Sequence, residues 1–263
     1  MPAKRSQVPG DVVVYAIGDI HGRADLLAQL HQALVRDARE RAAKRRVLVY
    51  LGDYISRTSQ GRGVIDMLLK NTPPGFEPVR LMGNHEDLVL RFLDGDLGAG
   101  ALWLEQGGNV MLEEYGIEPG TGGADQALRL ESLREQLRAA LPREHEVFLR
   151  SLRICHQEGD YRFVHAGVRP GVALDQQSTR DMLTIRAPFL DSADDFDQVI
   201  VHGHSIAAEP QVRPNRIGID TGAFRTGVLT CLVLQGSQRQ FLQTAAPSRD
   251  AKSCALPDRG ESA

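Results

Sequence analysis

Three short apolar segments, each followed by a helical period, open the chain and most constrain its fold. The segments occupy residues 12–19, 46–53 and 77–84, and they end in Gly-Asp, Gly-Asp and Gly-Asn. After each one, apolar residues recur at spacings of three and four, which is typical of an amphipathic helix. This strand–helix alternation predicts a parallel sheet covered by helices, with ligand-binding loops at the carboxyl ends of its strands.

The second half of the chain changes character twice. Residues 97–152 show helical periods interrupted by Gly and Pro, and we interpret them as a helical cap inserted into the main domain. Sheet-like segments then return, and they predict a second sheet facing the first. They lie at 161–167, 198–205, 215–222, 228–235 and 238–244.

The predicted fold class is therefore α/β, a two-sheet β-sandwich flanked by helices and carrying the helical cap. We expect residues 1–11 to be a flexible N-terminus and residues 12–245 to form one domain. Residues 246–263 are polar, contain Pro and lack periodicity, so we expect a disordered tail.

Charge and cysteine usage exclude several classes of protein. The 263 residues carry a formal net charge of -3, so no overall positive field would collect nucleic acid or anionic lipid. No apolar run approaches the roughly 18 residues that a membrane span needs, and no signal-peptide pattern precedes residue 12. Cys155, Cys231 and Cys254 are scattered without a CxxC pair. We expect reduced thiols in a cytoplasmic protein, with no membrane or stable nucleic-acid partner.

Five short phrases place a carboxylate, an amide or an imidazole directly after a predicted strand. One Gly-Asp or one His at such a position is more often turn chemistry or a packed core residue. Five in succession indicate one shared site. The phrases are GDIHG (18–22), GDYISR (52–57), GNHE (83–86), HAG (165–167) and VHGHS (201–205).

The donor atoms in these phrases favour particular metals. Asp and Asn oxygens mixed with imidazole nitrogens, without thiolates, suit Mn, Fe or Zn better than an iron–sulfur cluster or an all-oxygen calcium site. Six such side chains, one of them a shared carboxylate, are enough for two ions with open positions for water and substrate. Two ions form a clamp for in-line displacement at phosphorus, so the implied reaction is hydrolysis of a phosphate ester.

The same phrases resemble the calcineurin-like metallophosphoesterase superfamily. The similarity is to its phosphoprotein phosphatase branch, which includes bacterial serine/threonine phosphatases and symmetrical diadenosine tetraphosphate hydrolases. It runs from about residue 12 to 242, because IDTGAF (219–224) and GVLTCLVL (227–234) match the closing strands of the family. The resemblance implies a dinuclear metal centre, most readily Mn, with Fe or Zn as alternatives.

The resemblance also implies a role for each matching residue. Asp53 would bridge the two ions. The remaining ligands would be Asp19 and His21 on the first ion, and Asn84, His165 and His204 on the second.

Further residues match the substrate-handling groups of the family. His85 corresponds to the proton donor to the leaving-group oxygen, and Arg57 to an arginine that grips phosphate oxygens. We assign the second phosphate-binding arginine to Arg186, for which a surface arginine on an amphipathic helix is the alternative. His202 is either a neighbour of the metal site or a packed neutral imidazole.

The second phrase departs from the family pattern GDYVDRG. Ser56 stands where the family has an aspartate that orients the histidine of GNHE, and Thr58 replaces the glycine. We expect His85 to have a lower pKa than in relatives with the aspartate, and leaving groups that need protonation to be turned over slowly. Asp25 or Asp87 are alternative sources of the missing carboxylate.

The leading functional interpretation is a phosphatase acting on phosphoserine or phosphothreonine in proteins, with phosphotyrosine as an additional substrate. A second is hydrolysis of dinucleoside polyphosphates or of nucleotide caps on RNA, and a third is a non-catalytic protein that binds phosphorylated partners. Side chains of the cap could favour a nucleotide, although most are expected to be ordinary helix-face or core residues. They are Trp103, Tyr115, Arg129 and Arg134.

Overall fold

The computed structural model describes residues 6–120 and 125–244, which form two five-stranded sheets packed face to face with helices outside them. In the first half, three parallel strands alternate with three helices, as predicted. These elements are β1 (Val12–Ile17), α1 (Ala24–Arg39), β2 (Arg45–Tyr50), α2 (Gly61–Lys70), β3 (Glu77–Arg80) and α3 (Asn84–Leu93). Their register pairs Val14 with Val47 and Val49 with Val79.

The segment predicted to be helical extends the helical layer of the first sheet. Its elements are α4 (Leu97–Trp103), a π-helical turn (Leu104–Gly108), α5 (Asn109–Glu114), α6 (Gln126–Ala140) and α7 (Arg143–Arg150). Trp103 is fully buried, and its ring centroid lies 6.1 Å from that of Phe92 on α3. A Cβ at Gly108 would lie 2.4 Å from the indole, so the close approach of the π-helical turn requires glycine there.

The second sheet is built by the segment after α7. Its strands are β4 (Cys155–Glu158), β5 (Tyr161–Val164), β6 (Val199–His202), β7 (Gln211–Val212) and β8 (Arg216–Gly218), in the order β4-β5-β6-β8-β7. The connection from β5 to β6 carries α8 (Thr179–Thr184) and α9 (Ala187–Leu190). Strands β5, β6 and β8 run parallel, so the loops after them reach one edge of the sheet.

The last two strands correct one prediction. The segments at 228–235 and 238–244 were expected in the second sheet, but β9 (Thr230–Gln235) and β10 (Gln238–Gln243) complete the first. β9 pairs antiparallel with β1, after the short helix α10 (Ala223–Thr226). Both faces of β9 are buried, because Leu232 enters the core between the sheets while Val233 packs in the core below the helices. An apolar pattern shows that a strand is central, but it does not identify the neighbouring strand.

The core between the sheets follows from strand alternation. Val12, Val14 and Ala16 of β1 face the second sheet, whereas Val13 and Tyr15 face the helices. Full burial of a side chain such as valine contributes about 1.5–3 kcal/mol relative to exposure, so β1 is held firmly from both sides. The loop that follows it therefore starts from a fixed point.

The ends of the chain are described only in part. Within the predicted flexible N-terminus, the structure begins at residue 6; Val8 is buried there and its N–H donates to the Gly236 carbonyl. The predicted disordered tail at 246–263 lies outside the described residues, as does Cys254. Within the two described ranges, every helix is too short or too polar to span a bilayer.

Candidate functional site

The loops at the carboxyl ends of strands from both sheets bring the predicted ligands together. In the first sheet, the ligands follow β1, β2 and β3; in the second, they follow β5 and β6. All but one of the six predicted ligands are buried, and His204 is half-buried. They are Asp19, His21, Asp53, Asn84, His165 and His204.

Asp53 lies at the centre of this cluster. Its Oδ2 is 3.4 Å from Nε2 of His21, and its Oδ1 is 3.6 Å from Nε2 of His165. The backbone of Asp53 adopts φ 52°, in the left-handed region that Asp tolerates better than most residues. Its two carboxylate oxygens therefore face imidazoles from opposite sheets.

Backbone carbonyls orient both imidazoles. Nδ1 of His21 lies 3.1 Å from the Ile55 carbonyl oxygen, and Nδ1 of His165 lies 2.9 Å from that of Leu51. A carbonyl only accepts, so each Nδ1 carries a proton, and each Nε2 is the ring nitrogen directed at Asp53. Burial lowers the pKa of His21 to about 4, so this ring is neutral at neutral pH.

Asn84 adds a further acceptor to the cluster. Its Nδ2 donates to Oε1 of Gln106 over 3.3 Å, which turns Oδ1 towards His165, 3.1 Å from Nε2. Oxygen atoms of Asn84 and Asp53 and Nε2 of His165 thus converge on one small volume. Convergent oxygen and imidazole ligands of this kind fit a metal site.

Asp19 and His204 join the two sheets directly. The His204 backbone N–H donates to both carboxylate oxygens of Asp19, at 3.2 and 3.1 Å. The ring of His204 lies 5.0 Å from that of His165, and burial lowers the pKa of His204, so it too is a neutral ligand candidate. Burial, and next the carboxylates of Asp220 and Asp53, raises the pKa of Asp19 well above its usual range. This part of the site carries excess negative charge that cations would neutralise.

Side chains close enough to share an ion form two groups in the cluster. One contains His21, Asp53 and His85, and the other contains Asp53, His165 and His204. Asp53 belongs to both groups, which is the arrangement that a bridging carboxylate needs.

A further group of possible ligands lies between α2 and α7 and comprises Asp66, Glu144 and His145. Lys70 ion-pairs with both of its carboxylates, at 3.0 and 2.9 Å. The lysine ammonium already supplies the positive charge there, so this group is a surface ion-pair cluster.

His85 lies within the first of the two groups, but no hydrogen bond from the described part of the chain orients its ring. Its side chain is fully buried, and among the described residues neither ring nitrogen has a hydrogen-bond partner. Nε2 is 4.0 Å from Oδ2 of Asp53, and burial lowers the pKa of the imidazole. Ser56 is not a hydrogen-bond partner of His85, and its Oγ accepts a hydrogen bond from Nε1 of Trp103 at 3.0 Å.

The two alternative carboxylates are occupied elsewhere. Asp25 receives two hydrogen bonds from the Arg23 guanidinium, at 2.8 and 2.7 Å, and Asp87 pairs with Arg91 at 3.5 Å. Neither is a hydrogen-bond partner of His85.

Both predicted phosphate-binding arginines face one large cavity over the cluster, with a volume of about 1270 Å³. The Arg57 guanidinium carbon lies 4.8 Å from the ring centroid of Phe224, and its backbone N–H donates to the Gly107 carbonyl. Arg186 lies before α9, and its Nη1 donates to Oγ of Ser205 at 3.3 Å.

Comparison with known proteins identifies the family. A family model described as calcineurin-like phosphoesterase matches residues 12–222. The chain belongs to this family. A comparison with curated proteins found no match.

Solved structures share the fold of this phosphoesterase at low sequence identity. A candidate diadenosine tetraphosphatase is 19% identical, with a TM-score of 0.59, 92% of this chain covered and 96% of that one. The cold-active protein-tyrosine phosphatase of the psychrophile Shewanella sp. is 18% identical, with a TM-score of 0.55 and coverages of 90% and 83%. At these identities, the likeness extends to the fold alone.

The structure decides between the two readings of His202. Its ring packs edge-on against Phe189 at 5.0 Å, and its Nδ1 contacts the Gly203 carbonyl. Burial lowers its pKa to about 4. In this phosphoesterase, His202 is the packed neutral imidazole, and His204 is the histidine that faces the cluster.

Asp220 is a site residue that the sequence reasoning missed. It is buried, lines the cavity and accepts a hydrogen bond from the Gly222 N–H at 2.8 Å. The signal was present, because Asp220 follows β8 as the other carboxylates follow their strands, and it lies within the quoted phrase IDTGAF.

The cap contributes different residues from those considered. Leu102 and Gln106 line the cavity, whereas the four residues named earlier are absent from its lining. Tyr115 contacts Nδ1 of His145 at 2.7 Å, Arg129 donates to the Pro119 carbonyl, and Arg134 pairs with Glu131. These groups stabilise the cap itself.

Proposed function

We propose that this phosphoesterase is a dinuclear-metal-dependent phosphatase that hydrolyses phosphate monoesters, with phosphoserine and phosphothreonine in proteins as the leading substrates. The observation that carries the proposal is the position of Asp53, whose two oxygens face imidazoles oriented by backbone carbonyls. Such a shared carboxylate between preoriented histidines is what a pair of hydrolytic metal ions requires.

In this proposal, Asp19 and His21 would hold one ion, Asn84, His165 and His204 would hold the other, and Asp53 would contribute to both. Mn is the leading metal, with Fe or Zn as alternatives, because the donors mix carboxylate, amide and imidazole. Bound ions of this kind supply a hydroxide nucleophile at neutral pH and neutralise charge developing on phosphorus.

Side chains of the protein bind the phosphate and protonate the leaving group. Arg57 and Arg186 bind the equatorial phosphate oxygens and align phosphorus for in-line attack. His85 gives a proton to the departing oxygen. Burial lowers its pKa, so it is neutral at neutral pH, and activated leaving groups should react faster than alkyl ones.

A second candidate function is hydrolysis of dinucleoside polyphosphates, such as symmetrical diadenosine tetraphosphate, or of nucleotide caps on RNA. The volume of the cavity favours this second function, since about 1270 Å³ far exceeds the space that a single phosphoryl group needs. A non-catalytic phosphate-binding role is less well supported, because all six candidate ligands, His85 and Arg57 are present. The expected cytoplasmic location, which rests on the scattered cysteines, stays a prediction.

The test begins with turnover of p-nitrophenyl phosphate with added Mn, Fe or Zn. We expect turnover that chelators abolish and that Asp53→Asn lacks. Rates on phosphoserine, phosphothreonine and phosphotyrosine peptides and on diadenosine tetraphosphate then rank the substrates. Protein that binds phosphorylated ligands yet fails to turn over p-nitrophenyl phosphate with any of these metals would contradict the enzymatic proposal.

A further inference from the structure

The π-helical turn of the cap (Leu104–Gly108) reaches the candidate metal ligands through one side chain. Nδ2 of Asn84, at the start of α3, donates to Oε1 of Gln106 at 3.3 Å. The other polar atom of the same amide, Oδ1, lies 3.1 Å from Nε2 of His165. Asn84 is buried, so its amide connects the cap on one side with the second sheet on the other.

The orientation of the Asn84 amide decides which atom it presents to the cluster. Oδ1 is an acceptor and can bind a cation, whereas Nδ2 carries two hydrogens and repels one. The two orientations have nearly the same shape, so packing does not choose between them. An acceptor beside Nδ2 does choose, and Oε1 of Gln106 is the acceptor that the structure places there.

The backbone on both sides of Gln106 is held against the loop after β2. Before it, Nε1 of the buried Trp103 donates to Oγ of Ser56 at 3.0 Å. After it, the Gly107 carbonyl accepts the backbone N–H of Arg57 at 3.1 Å, and a Cβ at Gly107 would lie only 3.3 Å from the Arg57 backbone. The Gln106 side chain therefore starts from a defined position, which lets it orient a neighbour.

We propose that Gln106 is a positioning residue for one of the two metal ions, because it turns Oδ1 of Asn84 towards the cluster. The inference rests on the proposed dinuclear centre and adds a residue of the cap to it. Removal of a hydrogen bond that orients a metal ligand commonly costs about 10–100-fold in metal affinity. Gln106 should therefore affect the ion that Asn84 helps to hold and leave the ion of Asp19 and His21 unaffected.

The test measures binding of Mn alone, without any phosphate ligand. Equilibrium dialysis with metal analysis gives the affinities, and electron paramagnetic resonance distinguishes a single Mn from an exchange-coupled pair. The proteins are the wild type, Gln106→Met, Gln106→Glu and the control Gln136→Met. Methionine has the length of glutamine without its amide oxygen, whereas glutamate keeps an acceptor beside Nδ2 of Asn84. Gln136 is an exposed residue of α6 in the same cap.

We expect Gln106→Met to weaken binding of the second Mn by about 10–100-fold, with the first Mn bound as tightly as in the wild type. The signal of the coupled pair should then disappear at Mn concentrations where the wild type shows it. Gln106→Glu and Gln136→Met should both keep the pair. Equal weakening of both ions by Gln106→Met, or unchanged binding of both, would overturn the positioning role.

Gln106 also lines the cavity, so direct contact with substrate is the competing role. Such a contact would raise the KM for p-nitrophenyl phosphate in Gln106→Met and leave Mn binding unchanged. That result would likewise overturn the proposal.

The Asn84→Asp background separates orientation of the amide from a general loss of cap structure. Both side-chain oxygens of aspartate are acceptors, so no hydrogen bond is needed to choose between them. Gln106→Met added to Asn84→Asp should therefore change Mn binding by less than about twofold, a non-additive effect that marks direct coupling of the two side chains. A further loss as large as in the wild-type background would show that Gln106 acts through the fold, contrary to the proposal.

The wild type itself distinguishes the two levels of failure. Binding of fewer than two Mn by the wild type refutes the dinuclear centre of the proposed function. Binding of two Mn by both the wild type and Gln106→Met, with equal affinities, refutes only the role of Gln106.

Discussion

The two fully buried imidazoles beside Asp53 are held in different ways. His165 contacts the Leu51 carbonyl through Nδ1 and lies 3.1 Å from Oδ1 of Asn84 through Nε2. Neither ring nitrogen of His85 has a partner among the described residues. Backbone carbonyls therefore hold the candidate metal ligands, whereas no hydrogen bond from the described residues holds the ring of the predicted proton donor.

Ser56, which stands where the family pattern has an aspartate, is not a hydrogen-bond partner of His85. Ser56 uses its hydroxyl to accept the hydrogen bond of Trp103, so the side chain serves the cap rather than the imidazole. An ordered ligand set with an unbraced proton donor suits substrates whose leaving groups depart without much help. The substitutions below either disrupt the candidate metal ligands or add a partner for the His85 imidazole.

The largest effect should come from a substitution of Asp53, at the centre of the candidate metal ligands. Asp53→Asn keeps the shape of the side chain but removes the shared charge between His21 and His165. We expect loss of bound metal and a fall in kcat of at least about 10³-fold, because metal ions supply several kcal/mol of transition-state stabilisation. Metal content by mass spectrometry and turnover of p-nitrophenyl phosphate measure both effects.

The matched control for this change is Asp25→Asn, which removes a carboxylate paired with Arg23 outside the cluster. It should retain full metal content. Retention of two ions by Asp53→Asn would refute the central role of Asp53.

Glu86 holds the loop after β2 against the loop after β3, and a substitution at Glu86 removes this support. Its carboxylate accepts hydrogen bonds from the backbone N–H groups of Asp53, Tyr54 and Gly83, at 2.8, 2.8 and 2.9 Å. Glu86→Gln turns an amide NH₂ towards some of these donors, so we expect the free energy of unfolding to fall by about 2–4 kcal/mol. Urea denaturation measures it, with Asp87→Asn as the neighbouring control. A loss below about 0.5 kcal/mol would show that Glu86 does not tie the two loops together.

A substitution of Ser56 can supply the carboxylate partner that His85 lacks. We expect Ser56→Asp to restore the carboxylate of the family pattern beside His85 and to raise the protonated fraction of the imidazole at neutral pH. We expect about tenfold faster turnover of an alkyl phosphate, part of the typical 10²–10⁴ of general acid catalysis, and a pH–rate profile whose alkaline limb moves to higher pH. Ser56→Asn, which can still accept from Trp103 but adds no charge, should show neither. Equal profiles for the two variants would exclude the missing carboxylate as the cause.

A buried histidine outside the cluster affects stability only below neutral pH, and it leaves activity at pH 7 unchanged. His31 on α1 contacts the Tyr50 hydroxyl at 2.9 Å, and burial lowers its pKa to about 4. The unfolded chain binds a proton near pH 6.5 while the folded one does not, so stability is complete above pH 6.5 and falls towards pH 4. The slope reaches about 1.4 kcal/mol per pH unit. His31→Gln should flatten the slope of unfolding free energy against pH, and an unchanged slope would show that His31 does not contribute.

Much of the site could be predicted because its residues follow strands. The apolar runs before Asp19, Asp53 and His165 are buried on both faces, so their carboxyl ends are fixed and meet at one edge. The pairing of β9 with β1 could not be predicted, since it depends on which strand covers an open edge. Nor could the partner of Ser56, because Trp103 reaches it from an element 47 residues along the chain.

The most direct test of the account is the anomalous diffraction of crystals grown with Mn. We expect two ions that share Asp53. One should also be bound by Asp19 and His21, and the other by Asn84, His165 and His204. A single ion, or ions held without Asp53, for example by Asp66, Glu144 and His145, would contradict it.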